Sequence, residues 1–384
     1  MNHNSPRMKI LYTNFHPGDG GGHTTYVQQL CAALGAQHDL TVAAPGASQL
    51  FERIAKLPRV KAVAMDFPGK PRELGEIFRN LRKIRRLLTD RFDLIHVNGS
   101  PDHRMVIYAC LNRIKRPRIV LIKHNSFRIR NNPFAWYRAA LFTDAVIGVS
   151  RSTVMQLRAS PYRRKPLYLV PNGIDTDHFS PPSAAVTAAI RQRLGIALGD
   201  LVCVSTAGTG WHKGWNYLIE ACAQLPRELA ERIRIVIAGH ITYNVREYVD
   251  SSPFRDRIIL SGWLDDSRNV LQGADLGFVL SWDVETISFA CREMMSCGLP
   301  VIVSDYGGLR ENITPGMDGW VVPPKDAASI AAILRQVVAE PARLRAMGLM
   351  ARQKAVEQFG IDGFVTATEQ VYRLTLEGIP GGIR

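Results

Sequence analysis

The sequence predicts an α/β protein of two doubly wound parallel-sheet domains facing across a cleft. Two observations carry this. Short apolar runs rich in β-branched residues alternate with stretches of helical periodicity, and the alternation breaks once, at the turn-rich segment 171–182, before resuming. Length and composition agree, since 384 residues at 46% hydrophobic suffice for two ordinary domains and exclude a fibrous or disordered chain.

The first series places strands at 9–15, 40–44, 60–65, 93–97, 118–124, 145–149 and 167–170. Runs such as IVLI (119–122) are short, apolar and rich in β-branched residues. Helical spacing at 24–34 and 72–88 supplies crossovers between them. PNGIDTDHFSPP (171–182) ends this rhythm with turn residues, and a helix near 184–194 leads into strands at 201–206, 233–238, 258–262, 276–280 and 300–304. Helical stretches at 326–339, 341–359 and 362–376 follow with no strand left to pair, so they must pack on existing domains, the last crossing back to the first. The predicted division is 1–174 and 175–360, with 361–384 returning to the first domain. Ligands of such sheets bind beyond the carboxyl ends of the strands, so a ligand shared by two facing domains would sit between them.

Charge is distributed unevenly. Lysine and arginine number 48 against 34 acidic residues, a net +14; residues 1–175 carry 28 basic and 11 acidic side chains, a net +17, and the remainder is −3. One half therefore suits an anionic partner, either nucleic acid or a membrane surface. Cys31, Cys110, Cys203, Cys222, Cys291 and Cys297 form no CxxC pair and mostly sit in apolar runs, as reduced, buried thiols do, so a cytoplasmic protein is expected. The N-terminal MNHNSPRMKILYTNF lacks the apolar core of a secretion signal, and no run nears the roughly 18 apolar residues of a membrane span.

Three segments carry chemistry. In SWDVETISFACREMMSCGLP, a strand end at Ser281 leads to Glu285 and then a helical pattern from Thr286 to Cys297, stopped by Gly298 and Pro300. Glu285 and Glu293 stand eight residues apart, about 12 Å along a helix. An anionic diphosphate fits the free N–H groups near Thr286, Ile287 and Ser288, and Glu293 suits vicinal hydroxyls. On spacing alone, a surface helix with two solvated glutamates fits equally. In TAGTGWHKGWNYLIEA, a strand runs into a Gly-rich turn with Lys213 and Gly214 just before a helix, which aims a cation and backbone donors at a phosphate; GxxxxGK[ST] is absent, so it is no P-loop, and alone it is weak. In HPGDGGGHTTYVQQL, Gly20, Gly21 and Gly22 free the backbone to approach a ligand before a helix starting at His23 and Thr24. No acidic residue ends the following strand, which disfavours a nicotinamide enzyme.

With their order and context, these segments resemble the retaining nucleotide-sugar glycosyltransferases of family 4, which have the two-Rossmann GT-B fold. Glu285 and Glu293 match that family's E-x7-E motif. GGGHTTYVQQL resembles its N-terminal Gly-rich loop, DLIHVNG and VLIKHNS two strand ends of its acceptor domain, and TDAVIGVSRS and LVPNGIDTDHF its last N-domain strand and interdomain linker. YGGLRENI and DGWVVPPKD resemble the segments after the motif. The resemblance implies that Glu285 lies against the donor's sugar and phosphates, Glu293 holds the ribose, Lys213 neutralises the diphosphate, Gly21 and Gly22 approach the donor, and His124 faces the transferred sugar. Without it, His124 reads as an imidazole capping a strand end. The family usually sets an arginine beside the lysine, and none occurs in 208–212; His212 substitutes, or Lys213 acts with backbone groups alone. TISFA (286–290) also departs from the usual pattern after the first glutamate.

Transfer of a sugar requires stabilising a departing diphosphate, which Lys213 and the 286–288 backbone supply. Inversion needs a base across the sugar. The N-terminal half offers only Asp19 and Asp102 near strand ends, and neither matches a family position, so retention is expected. No metal is expected, and Asp175 to Asp177 reads as a turn. The expected partners are a nucleotide sugar, a glycan or lipid-linked acceptor, and an anionic membrane surface at the inner face of the cytoplasmic membrane, as in lipopolysaccharide synthesis. Two stretches could meet that surface. Arg79, Arg82, Lys83 and Arg86 share a helix face opposite Phe78, Leu81, Ile84 and Leu88, a pattern that also suits an ordinary surface helix. SFRIRNNPFAWYRAALF (126–142) interleaves arginines with aromatics, suiting a bilayer interface or a loop that closes the site. The competing classes are a nucleic-acid-binding protein, which leaves Glu285 and Glu293 unexplained, and another GT-B enzyme such as an epimerase or phosphorylase.

Overall fold

The computed structural model describes residues 6–18 and 21–379. They divide into two compact units: one runs to Asn172 and takes in the segment from Asp362, and the other is Gly173–Ile361.

Unit 1 runs β1 (Lys9–Thr13), α1 (Gly21–Leu34), β2 (Asp39–Ala44), α2 (Gln49–Ala55), β3 (Val60–Ala64), α3 (Leu74–Leu87), β4 (Leu94–Val97), α4 (Ser100–Cys110), β5 (Arg118–Lys123), α5 (Pro133–Phe142), β6 (Ala145–Gly148), α6 (Arg151–Arg158) and β7 (Leu167–Leu169). Its parallel sheet has the order β3-β2-β1-β4-β5-β6-β7. Unit 2 runs α7 (Ala184–Arg193), β8 (Leu201–Ser205), α8 (Trp215–Ala223), α9 (Arg227–Ala230), β9 (Ile233–Ala238), α10 (Tyr243–Asp250), β10 (Ile258–Gly262), α11 (Arg268–Leu271), β11 (Leu276–Val279), α12 (Phe289–Ser296), β12 (Val301–Ser304), β13 (Gly319–Val322), α13 (Ala327–Ala339) and α14 (Pro341–Gln358). Its sheet order is β10-β9-β8-β11-β12-β13, again all parallel. In each unit the order reverses beside the first strand, so β1 meets β4 and β8 meets β11, the switch at which such sheets place their ligands.

The apolar runs are continuous because both sheet faces are covered. Along β8, Cys203 joins one core cluster while Val202 and Val204 join another; along β12, Ile302 and the pair Val301 and Val303 divide in the same way. Helix starts follow local chemistry. Asn132 caps α5 with Pro133 behind it, and Ser150 with Thr153 forms a capping box on α6.

The final helix, α15 (Ile361–Glu377), packs on unit 1. The Tyr372 hydroxyl lies 3.1 Å from that of Tyr12 and 2.8 Å from His96 Nδ1, Glu369 meets His38 at 3.2 Å, and Phe364 packs edge-on to Tyr26.

Four expectations need correction. A further strand, β13 (Gly319–Val322), pairs with β12 where the sequence pattern predicts none, because GWVV opens on a glycine, a poor strand residue, and its pairing is set by its neighbour. The helix expected to start at Thr286 begins at Phe289. The helix expected to start at His23 and Thr24 begins at Gly21. Phe78, expected on the buried face of α3, is 60% exposed; Ile84, Leu87 and Leu88 are buried and Ile77 packs beside them, one residue or about 100° of helix away from Phe78's row.

Candidate functional site

The turns after β8 and β11 meet at the switch of the unit 2 sheet. After β8 the chain makes a short 3-10 turn, Trp211–Lys213, and Gly214 takes φ +70° before α8. A Cβ at Gly214 would lie 2.1 Å from the Leu280 carbonyl oxygen, so only glycine lets this turn rest on the end of β11. Trp215 Nε1 donates to the Thr209 carbonyl at 2.8 Å, and Trp282 N donates to the His212 carbonyl at 2.9 Å. These bonds fix the turn that presents Lys213.

Lys213 Nζ lies 2.9 Å from Glu285 Oε2, which also accepts from Ser281 Oγ at 3.1 Å; Thr286 N donates to Glu285 Oε1 at 3.1 Å. Glu285 is 9% exposed, so its carboxylate is held by a cation and two hydrogen-bond donors in a nearly closed setting. Gly307, at φ +61°, lets the following segment approach; a Cβ there would lie 2.4 Å from the Glu285 carbonyl oxygen.

Residues 286–288 form a turn before α12 rather than its first turn. Ser288 sits at φ +55° as the cap, its Oγ accepting from Cys291 N at 3.3 Å. The carbonyls of Thr286 and Ile287 accept from Gly308 N at 3.0 Å and Asn312 Nδ2 at 2.6 Å. This explains the late helix start, since those carbonyls are spent on segment 308–312. A trans peptide sets its C=O and N–H on opposite sides, so the N–H groups of Ile287 and Ser288 face away from that segment. Val284, at φ +48°, is a β-branched residue in left-handed backbone, a strained setting beside Glu285.

Glu293 lies on α12 with Ser267 Oγ 3.4 Å from its Oε2; burial, with Asp266 nearby, pushes its pKa up to about 7. His212 is half-buried, and burial with the Lys213 charge lowers its pKa, so it is neutral at pH 7 and adds no standing charge beside Lys213. Asp175 Oδ1 accepts from Asp177 N and His178 N, which makes DTD an Asx turn. Among the described residues, no three His, Cys, Asp or Glu side chains converge as a metal site.

In unit 1, His124 follows β5. Its Nε2 lies 2.8 Å from Asn98 Oδ1, and Asn98 Nδ2 donates to the Thr13 carbonyl, which leaves Oδ1 as acceptor and the proton on His124 Nε2. Its ring packs 4.3 Å from His23 and 4.6 Å from Tyr26, and His16 packs 4.3 Å from His23. Burial and the neighbouring imidazoles hold His124 well below the usual histidine range, and His23 down to about 3. Asp102 is fully buried. One of its oxygens accepts from Thr13 Oγ1 and Asn98 N, both at 2.7 Å, and burial raises its pKa to about 7, so it braces these loops. Gly21, at φ +48°, and Gly22 are exposed at the start of α1; Asp19 and Gly20 lie outside the described residues.

Lys213, Glu285 and Thr286 are thus in direct contact, and Ile287, Ser288 and Glu293 belong to the same turn and helix of unit 2, while His124, Gly21 and Gly22 belong to unit 1. Ser281, Gly307, Asn312, Asn98 and His23 were not foreseen as supports. Only the glycine pair in YGGLRENI signalled a close approach.

The sequence model described as glycosyl transferases group 1 matches residues 186–354, and that of glycosyltransferase family 4 matches residues 20–178. A D-inositol 3-phosphate glycosyltransferase of Xylanimonas cellulosilytica is 28% identical over 54% of this chain, which there spans only 51% of that relative. A GDP-mannose-dependent alpha-(1-6)-phosphatidylinositol monomannoside mannosyltransferase of Mycolicibacterium smegmatis is 25% identical over 91% of this chain and 94% of its own. The crystal structure of Anabaena Alr3699/HepE with UDP and glucose superposes with a TM-score of 0.80 at 18% identity, covering 96% of this chain and 100% of that one. Two parallel sheets with the strand reversal described above, matched along both units by these families, make the chain a family 4 glycosyltransferase of GT-B fold.

Proposed function

We propose that the chain moves a sugar from a nucleoside-diphosphate sugar to a glycan or glycolipid acceptor with retention of anomeric configuration, in the synthesis of lipopolysaccharide or another surface polysaccharide. The observation that carries this reading is the Lys213–Glu285 pair, 2.9 Å apart at the sheet switch, with the N–H groups of Ile287 and Ser288 in the same turn. A cation and preoriented backbone donors are what a departing diphosphate needs. Glu293 accepts from ribose hydroxyls, and the stacked His240 and Trp263 rings, 4.7 Å apart beyond β9 and β10, offer a flat face for the base. In the transfer, the bond between the anomeric carbon and the diphosphate oxygen breaks. The acceptor oxygen bonds to that carbon on the same face, and its proton passes to the departing phosphate. Asp102 is buried as a brace and takes no part as a base. No metal is required by this scheme, since Lys213 and the turn meet the charge.

The lipid acceptor named for the mycobacterial relative supports a glycolipid substrate, and the surface of unit 1 supports a cytoplasmic enzyme peripheral to an anionic membrane. Phe127, Phe134, Tyr137 and Leu141 are exposed along 127–141 among Arg128, Arg130 and Arg138, and Leu74 and Phe78 are exposed on α3 beside Arg79 and Arg82.

Thermal stabilisation by UDP-, GDP- and ADP-sugars identifies the donor, and transfer to a lipid-linked acceptor followed by NMR of the product is expected to show the donor's anomeric configuration. An inverted product overturns retention. Donor isomerisation or phosphate-dependent cleavage without transfer replaces the reading with an epimerase or phosphorylase. Flotation with phosphatidylglycerol vesicles is expected; binding to DNA but not to vesicles removes the membrane partner.

A further inference from the structure

Beneath the 286–288 turn, α12 buries a guanidinium. Arg292 is 3% exposed and Asn312 is fully buried; Arg292 Nε donates to Asn312 Oδ1 at 2.9 Å, and Asn312 Nδ2 donates to the Ile287 carbonyl at 2.6 Å. The Arg292 guanidinium lies 4.1 Å from the centroid of the Phe359 ring, which compensates part of its lost hydration. Burial lowers its pKa to about 10, so it remains charged at neutral pH.

The order of donors in this chain has one consequence. An asparagine amide alone can turn over and present either its oxygen or its nitrogen. Arginine Nε–H only donates, so Arg292 fixes Oδ1 on its own side and leaves Nδ2 for Ile287. With that carbonyl held inward, the planar peptide directs the Ser288 N–H away from Asn312. Satisfying the buried Ile287 carbonyl needs only one donor, and a buried guanidinium behind that donor is a costly way to supply it, so stability does not account for Arg292.

We infer that Arg292 and Asn312 are positioning residues that set the direction of the Ser288 N–H toward the donor's diphosphate. The inference rests on the reading that this turn receives the diphosphate. Neither residue touches the donor; both act through the Ile287 carbonyl.

Asn312→Asp tests it, because the side chain keeps its size and still accepts from Arg292 but no longer donates to Ile287. Calorimetry of the full chain with uridine, guanosine and adenosine diphosphates, each against its monophosphate, is the measurement. The expected result is a folded chain that melts below the wild type, because the buried Ile287 carbonyl is left without its donor, a diphosphate affinity about tenfold lower, and a smaller change for the monophosphate. The donor KM rises with it while the acceptor KM does not. Should Asn312→Asp fail to fold, the apolar double variant Arg292→Met with Asn312→Leu carries the same expectation. A folded variant with the wild-type ratio of diphosphate to monophosphate affinity overturns the positioning role and leaves the donor reading intact. A wild-type chain that binds none of the three diphosphates overturns both.

Discussion

Lys213 and Glu285, 72 residues apart in sequence, form an ion pair of 2.9 Å that joins the turns after two neighbouring strands, β8 and β11. Two glycines permit the close approaches around it: Gly214 lets the turn after β8 rest on Leu280 at the end of β11, and Gly307, in the segment after β12, comes against the Glu285 carbonyl. The carboxylate therefore holds the cation in place without a substrate, and on the proposed donor reading a diphosphate would share a charge already oriented.

Replacing Lys213 with Ala is expected to lower kcat/KM by about 100- to 1000-fold, the usual loss on removing one donor to a developing charge. Lys213→Arg retains part of the rate. Steady-state rates on the identified donor, with melting curves to show that the variants are folded, check this; a loss under tenfold in Lys213→Ala assigns the charge stabilisation elsewhere.

Gly214→Ala and Gly307→Ala are expected to destabilise the protein by about 2–4 kcal/mol each, combining the left-handed backbone cost with a clash against a carbonyl. Gly316→Ala is the comparison. Its φ is +80° but nothing lies within 4 Å of a Cβ there, so about 1–2 kcal/mol is expected. Urea melts of the three variants give the ranking.

On the proposed donor reading, Glu293 gives the site a pH dependence. Its folded pKa of about 7 lies above the ordinary glutamate value of 4.5, so below about pH 7 it holds a proton and is a poorer acceptor for ribose hydroxyls. Donor KM is expected to rise as pH falls through 7, and Glu293→Gln to flatten that profile. Stability runs the other way. Between pH 4.5 and 7 the folded chain binds the proton that the unfolded chain has released, so this contribution is full below 4.5 and is lost as pH rises to 7. Denaturation of Glu293→Gln from pH 5 to 7 should show a shallower decline than the wild type.

Tyr372 lets α15 close unit 1, its hydroxyl meeting Tyr12 and His96. Tyr372→Phe is expected to cost about 1 kcal/mol. Ending the chain after residue 360 uncovers Tyr26 beside Phe364 and leaves His38 without Glu369, so the shortened protein is expected to aggregate on expression. A soluble, cooperative melt of that fragment would contradict this role for the helix.

The strands were legible because burial on both faces makes the inner ones largely apolar runs, and the expected limits at 233–238 and 258–262 match β9 and β10. The two glutamates of the E-x7-E spacing and the lysine before Gly214 were legible from their order and spacing in the segments that follow β11 and β8. The helix start at Phe289 was not legible. Thr286 and Ile287 have ordinary helical spacing, and what takes them out of the helix is hydrogen bonding from Gly308 and Asn312, some twenty residues later. Phe78 was misplaced for a related reason, since a one-residue rotation of α3 is decided by its neighbours and not by its own period.

The sequence by itself determined the two-sheet architecture, the turn-rich break at 171–182, the concentration of positive charge in the first half and the spacing of Glu285 and Glu293. Each is written in contiguous residues or in composition. Only the tertiary structure decided that Lys213 pairs with Glu285, that Asp102 is a buried brace, that His124 carries its proton on Nε2, and that Arg292 reaches the Ile287 carbonyl through Asn312. Those arrangements arise where strands distant in sequence end side by side, so the direction of a hydrogen bond there depends on groups that no local pattern contains.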